Sequence, residues 1–193
     1  MQLSGYSRAF DRGAPRWKEV LWILVSAFFF RTSLPWPSIV RVKLLRAFGA
    51  RVGGKVVLRA KLNVNFPWRL TLGDHVWIGE EVMILSLAPV VLESHVCISQ
   101  RTFLCTGSHD FRAPHFDLIT ESITIRERSW VAAQAFIGPG VEIGPGSMVT
   151  AGSVVTSNVP PGVMVRGNPA AVVKRWDGSE MDDRRPATAQ QGA

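Results

Sequence analysis

Four histidines, His75, His95, His109 and His115, are the side chains of this 193-residue sequence whose ordinary titration falls near neutrality. Imidazoles of that kind serve as a general base toward a hydroxyl or amine, or as ligands of a zinc ion. Their surroundings separate them. His109 follows Ser108 and precedes Asp110 at the mouth of a polar, proline-containing stretch, residues 107–122, that also holds His115 and Asp117. His75 and His95 each stand three residues past a leucine, Leu72 and Leu92, an equivalence that predicts polar side chains stacked on one outer face.

The frame around them is a repeat. Aliphatic residues recur every six positions at Ile125, Val131, Ile137, Ile143, Val149 and Val155, and upstream in threes at Val52-Leu58-Val64, Leu72-Ile78-Ile84 and Leu92-Ile98-Leu104. Three hexads make one triangular coil, and the two-residue offset between blocks reads as a corner insertion. Four positions after an anchor stand small or β-branched residues (Val76, Val82, Ala88, Val96, Thr102, Ser108, Ser129, Ala135, Val141, Ser147, Ser153), expected to point inward. Glycine follows the anchor at Gly53, Gly73, Gly79, Gly138 and Gly144, and Pro139-Gly140 and Pro145-Gly146 sit between strands, where a positive φ or fixed bend is expected.

One hexad cannot bury its anchor alone, so coils must stack. The sequence therefore predicts an all-β fold, a parallel β-helix with strands within 52–64, 72–104 and 123–156. A β-sandwich would turn every 8–12 residues and irregularly. Residues 107–122 break the period and are expected to leave the coil as a loop, the usual carrier of function on a rigid scaffold. Pro160-Pro161-Gly162 is expected to end the helix, an apolar strand-like run from 163 to 173 to follow, and the polar tail 177–193 to be disordered.

Charge is uneven. Of the net +7, residues 1–61 supply about +10, twelve Lys/Arg against Asp11 and Glu19, and the remainder about −3. Residues 1–50 thus form a basic, apolar N-terminal segment, expected to be helical, ahead of a β-helix domain over 51–176 that closes with 159–176. The cations are interleaved with an eleven-residue apolar run, VLWILVSAFFF, which suits an anionic membrane surface better than nucleic acid. The run is too short to span a bilayer, which needs roughly 20 residues, and no signal cleavage site follows it. Two readings stand for it: an interfacial helix, or a helix packed on the domain or a neighbouring subunit. Cys97 and Cys105 read as small buried residues of a cytoplasmic protein and not as a disulfide.

The stretches FPWRLTLGD (66–74), LCTGSHD (104–110), the repeats near Trp130 and the closing VPPGVMVRGNPAAVVKRW (159–176) resemble the hexapeptide-repeat acyltransferases, and within them the colanic acid biosynthesis acetyltransferases, related to the maltose and galactoside acetyltransferases. The resemblance runs from about residue 3 to 176. It implies a left-handed β-helix, a homotrimer, and acetyl-CoA lying between neighbouring helices as donor to a sugar hydroxyl, with no metal. His109 matches the family's catalytic base, and Ala133 the residue whose backbone N–H holds the oxyanion. For the cofactor it implies Trp130, Ala133, Ala151, Gly152, Thr156 and Ser157 along the threading segment, and Arg166, Lys174 and Arg175 toward the phosphates. Asp110 is open between orienting the imidazole, binding a sugar hydroxyl and capping the loop turn.

The sequence also departs from the sugar acetyltransferases. It has Gly79-Glu80-Glu81 where they carry Asn on the coil before the histidine, and Asp110 where they have Pro. With the basic, apolar N-terminus this points to a lipid-linked oligosaccharide acceptor at the inner face of the cytoplasmic membrane. Three rivals remain: a zinc enzyme of the same fold needing three converging histidines, an N-acetyltransferase on an aminosugar, and a non-catalytic scaffold.

Overall fold

The aliphatic anchors other than Val52 are all 2% exposed or less, and they form one continuous column of core. The structure, a computed structural model, describes residues 10–176; the expected disordered tail and residues 1–9 lie outside the described residues. Coil 1 is built from β1 (Arg51–Val52), β2 (Val57–Leu58) and β3 (Asn63–Val64), and coil 2 from β4 (Leu70–Leu72), β5 (Trp77–Ile78) and β6 (Met83–Leu85). Coil 3 is β7 (Val90–Leu92), β8 (Cys97–Ile98) and β9 (Phe103–Cys105). After a hairpin of β10 (Gly107–His109) and β11 (Leu118–Thr120) come coil 4, β12 (Ile123–Ile125), β13 (Trp130–Val131) and β14 (Phe136–Ile137), and coil 5, β15 (Glu142–Ile143), β16 (Met148–Val149) and β17 (Val154–Val155).

Every coil-to-coil pairing is parallel and keeps the anchors in register, as Leu72 on Leu92 and Ile125 on Ile143. The result is three sheets on the faces of a triangular parallel β-helix: face 1 in the order β1-β4-β7-β12-β15, face 2 β2-β5-β8-β13-β16, face 3 β3-β6-β9-β14-β17. The expected inward residues are buried, with hydroxyls satisfied: Thr102 Oγ1 donates to the Ala132 carbonyl and Ser147 Oγ to that of Pro160. Ser108 is the exception. The chain leaves the coil at Gly107, so Ser108 lies exposed on β10 and Thr106 takes the buried place.

The glycines after the anchors serve a purpose other than the expected positive φ. A Cβ on Gly73 would stand 2.6 Å from the Ser94 nitrogen, and Gly53, Gly79 and Gly144 face the next coil's backbone as closely. Adjacent coils approach too near there for a side chain. The left-handed corners are filled instead largely by Lys55, Lys61, His75, Glu81, His95, Arg101, Arg128 and Gln134. Gly73→Ala should therefore cost about 1–3 kcal/mol by overpacking against backbone. Gly54→Ala, whose nearest neighbour would be at 3.5 Å, should be close to neutral; urea unfolding midpoints compare the two.

Two further expectations are revised. Pro160-Pro161-Gly162 turns a corner but does not end face 2: β18 (Val163–Gly167) still pairs parallel with β16, because Val163 and Val165 keep the buried alternation. The run expected as one strand from 163 to 173 is a hairpin, with β19 (Ala170–Arg175) returning antiparallel on β18.

At the other end, Pro15 and Pro37 each precede a helix: α1 (Arg16–Phe29) and α2 (Ser38–Ala47). They cover the open end of coil 1. Trp22 is buried against Phe30 and Phe48 and donates its Nε1–H to the Val64 carbonyl at 2.7 Å. Among the described residues no helix is long and apolar enough to cross a membrane.

Candidate active site

The insertion expected as a loop is rooted by threonine. Thr106 Oγ1 donates to the Leu85 carbonyl and accepts from the Ala88 N–H, and its carbonyl accepts from Glu121 N–H, so both hairpin strands rise from a fixed base. β10 and β11 pair antiparallel from Gly107↔Thr120 to His109↔Leu118, which delivers His109 to the end of a strand. There its Nδ1 lies 2.9 Å from the Phe116 carbonyl, and its ring stacks on the Phe116 ring at 4.2 Å and 5°. A carbonyl only accepts, so Nδ1 carries the hydrogen and Nε2 is the basic nitrogen. Phe116 has φ +55, which the turn needs to aim its carbonyl back at the imidazole.

Asp110 makes the loop contact. Its Oδ1 accepts the Arg112 N–H at 2.9 Å, and its own N–H donates to Asp117, an Asx turn that holds the hairpin tip. The Nδ1 side of His109 is thus held by a backbone carbonyl. His75 and His95 stack on each other, 4.8 Å apart and 6° from parallel, on coils 2 and 3. Among the described residues no three metal-ligating side chains converge.

Ala133 sits at a different edge of the triangle. It forms the corner between faces 2 and 3 on coil 4, above Gly152, whose N–H donates to its carbonyl. The Ala133 N–H has no acceptor among the described residues. Beside it lies a cleft of about 420 Å³ lined by Glu80, Glu81, Gln100, Arg101 and Gln134. A hydrogen bond from Arg101, aided by Lys61, holds the exposed Glu81 carboxyl below the usual range.

Toward the C-terminal end the same corner carries exposed Ala151 and Gly152, and nothing stands within 4 Å of where a Gly152 Cβ would be. Thr156 and Ser157, also exposed, lie past β17 at the edge between faces 3 and 1, which is the edge that carries His109. Within one chain the predicted residues therefore fall on two edges. Trp130, half-exposed on face 2, donates its Nε1–H to Ser99 Oγ at 2.8 Å. Arg166 and Arg175 are exposed on the closing hairpin, and Lys174 lies over the Trp176 ring at 4.9 Å. Cys97 and Cys105 are free thiols, and burial pushes Cys97 up.

Phe116 escaped sequence reasoning because a backbone acceptor leaves no residue signature. Glu80 was visible as a departure, but its place beside Ala133 depends on how corners 20 and 33 residues apart stack.

No protein-family model matches the chain. WcaF of Escherichia coli K12, named for acetyl transfer in colanic acid biosynthesis, is 42% identical over 177 residues, covering 89% of this chain and 95% of that protein. A hexapeptide-repeat acetyltransferase of Vibrio cholerae solved with acetyl-CoA superposes with a TM-score of 0.79 at 27% identity, over 91% of this chain and 96% of that one. A galactoside acetyltransferase solved with coenzyme A has the same fold, with a TM-score of 0.79 at 20% identity over 94% of each chain.

Proposed function

The chain belongs to the family of colanic acid biosynthesis acetyltransferases, hexapeptide-repeat enzymes, and on that premise we propose that it moves acetyl from acetyl-CoA to a sugar hydroxyl in exopolysaccharide synthesis. The observation that carries the reading is the fixed imidazole of His109, whose Nε2 is left as base by the Phe116 carbonyl.

In the proposed reaction the acceptor hydroxyl attacks the thioester carbonyl while His109 Nε2 takes its proton. The oxyanion is held by the Ala133 N–H. Collapse breaks the C–S bond, and the imidazolium returns its proton to the leaving thiolate, which gives the acetyl ester and free CoA. Asp110 serves by holding the hairpin tip through its Asx turn, a positioning role.

His109 and Ala133 stand on different edges, so the proposal requires a second copy to bring one chain's His109 edge against another's Ala133 edge, as a homotrimer would. The same groove suits acetyl-CoA: Ala151 and Gly152 on one wall, Thr156 and Ser157 on the other, and small at every point where the pantetheine passes. Trp130 flanks the groove, and Arg166, Lys174 and Arg175 supply cations for the phosphates. The acceptor would then enter from the opposite, N-terminal side, through the Glu80–Arg101 cleft, and a lipid-linked oligosaccharide at the inner face of the cytoplasmic membrane is the acceptor class proposed.

The test is CoA thiol release with acetyl-CoA against sugars, aminosugars and extracted lipid-linked oligosaccharides, followed by hydroxylamine treatment of the product. An ester is cleaved and an amide survives. Loss of the acetyl group with hydroxylamine is expected; a resistant product makes the enzyme an N-acetyltransferase, and absence of both CoA binding and thiol release makes the fold a scaffold.

A further inference from the structure

The helix α1 is apolar on two faces, and the β-helix uses one. Trp22, Val25, Ser26 and Phe29 recur at helical spacing and turn inward onto coil 1. Trp17, Val20, Leu21, Leu24 and Phe28 recur at the same spacing on the other side and stay in the open, Trp17 67% and Leu24 64% exposed. A helix apolar all round needs cover on both faces. Among the described residues nothing covers the second face.

The charge around the face says what that cover is. Exposed Arg16 and Arg31 stand at the two ends of α1, and Lys43 is exposed on α2. Of the two acids of the same segment, Glu19 is bonded to Arg12, and Asp11 lies 3.8 Å from Arg69 with its side chain in the open. A second copy laid on this face would oppose cation to cation, with Asp11 alone on the segment to answer. An anionic lipid surface answers both features, because headgroup phosphates pair with the arginines while the apolar stripe enters the acyl boundary. At 14 residues, about 21 Å, the helix lies in the interface and does not cross.

We infer that α1 is an interfacial anchor that holds the coil-1 end of the β-helix on an anionic membrane surface. This deepens the lipid-linked acceptor of the proposed function and rests on that reading only for what the anchor serves. The cleft under Trp36, Arg59 and Glu80, about 440 Å³, is bounded by the Trp36 ring that packs on Phe28 and Phe29 of α1, and it shares Glu80 with the cleft beside Ala133. A glycan carried on a lipid at α1 would thus meet two adjoining clefts on the way to Ala133.

The experiment is sedimentation of the full-length protein with vesicles of phosphatidylcholine alone and with 30% phosphatidylglycerol, for wild type, Leu24→Glu and the double variant Arg16→Gln/Arg31→Gln. All three positions are exposed, so folding is retained, and circular dichroism and solution mass check this. Wild type is expected to bind the anionic vesicles at least tenfold better than the neutral ones, Leu24→Glu to lose binding by tenfold or more, and each neutralised arginine to cost roughly fivefold. CoA thiol release with a water-soluble acceptor, measured in parallel, should be the same in all variants, so loss of the anchor reads separately from loss of the enzyme. Equal binding to both vesicles overturns the anionic assignment. No binding to either, with a lower solution mass for Leu24→Glu, overturns the anchor and gives the face to a second copy.

Discussion

His109→Ala is expected to lower acceptor-dependent CoA release by about 10²- to 10⁴-fold, the range over which a positioned general base contributes. The affinity for acetyl-CoA should stay within twofold of wild type, because the imidazole is bonded to the hairpin through Nδ1 and its proposed partner at Nε2 is the acceptor hydroxyl and not CoA. His109→Asn sharpens the test. Its amide can still donate to the Phe116 carbonyl, so the hairpin tip is kept while the basic nitrogen is lost. If the role of His109 were to order the hairpin through its bond to Phe116, Asn would restore most of the turnover. If it is the base, Asn is as inactive as Ala. Turnover at saturating substrate, compared with CoA affinity by calorimetry, separates the two.

How far the sequence discloses this site depends on which atoms do the work. The column of anchors is legible because burial of an aliphatic side chain leaves a period, and the period of six places every coil. The same period placed Ser108 inward, where a hairpin strand had already left the coil. Residues 107–122 read as a loop because the β10–β11 ladder is held by backbone groups and by Thr106, none of which alternates in hydrophobicity. The corners show the opposite limit. Gly140 and Gly146 have the positive φ expected of the Pro-Gly corners, yet His75, Glu81 and Arg101 adopt it as well, since successive corner backbones bond coil to coil and override the side-chain preference. The orientation of His109 was beyond reach for the reason already seen in Phe116: its partner is a carbonyl, which every residue has.

Arg41 is where composition misled most, and its replacement carries the largest expected cost to stability. It counts toward the +10 of the N-terminal third, but it is 3% exposed and contributes little to a surface charge. Its Nε donates to the Phe29 carbonyl at 3.0 Å, Nη1 to Trp36 at 2.9 Å and Leu58 at 3.3 Å, and Nη2 to Leu34 at 3.4 Å. One guanidinium thereby ties the end of α1, the chain that links it to α2, and β2 of the first coil. Burial pushes the guanidinium down from its ordinary range, the cost of taking the cation out of water that those carbonyls offset.

Arg41→Ala leaves the Phe29 and Trp36 carbonyls, the acceptors of its two shortest bonds, without that donor, and at about 1–3 kcal/mol for each group so orphaned a loss of about 2–6 kcal/mol is expected. That is a large share of a domain's usual 5–15 kcal/mol. Arg41→Lys keeps the charge but not the planar fork, so it should recover less than half, whereas Lys43→Ala on the exposed side of the same helix should change the stability obtained from urea unfolding by no more than about 0.5 kcal/mol. A loss at Arg41 no greater than at Lys43 would mean that the carbonyls find water instead. Because the Phe29 carbonyl belongs to α1, Arg41→Ala should also free that helix from coil 1. Faster amide exchange across residues 16–29 than across β7 or β12 would locate the loss in the helical cover and not in the β-helix beneath it.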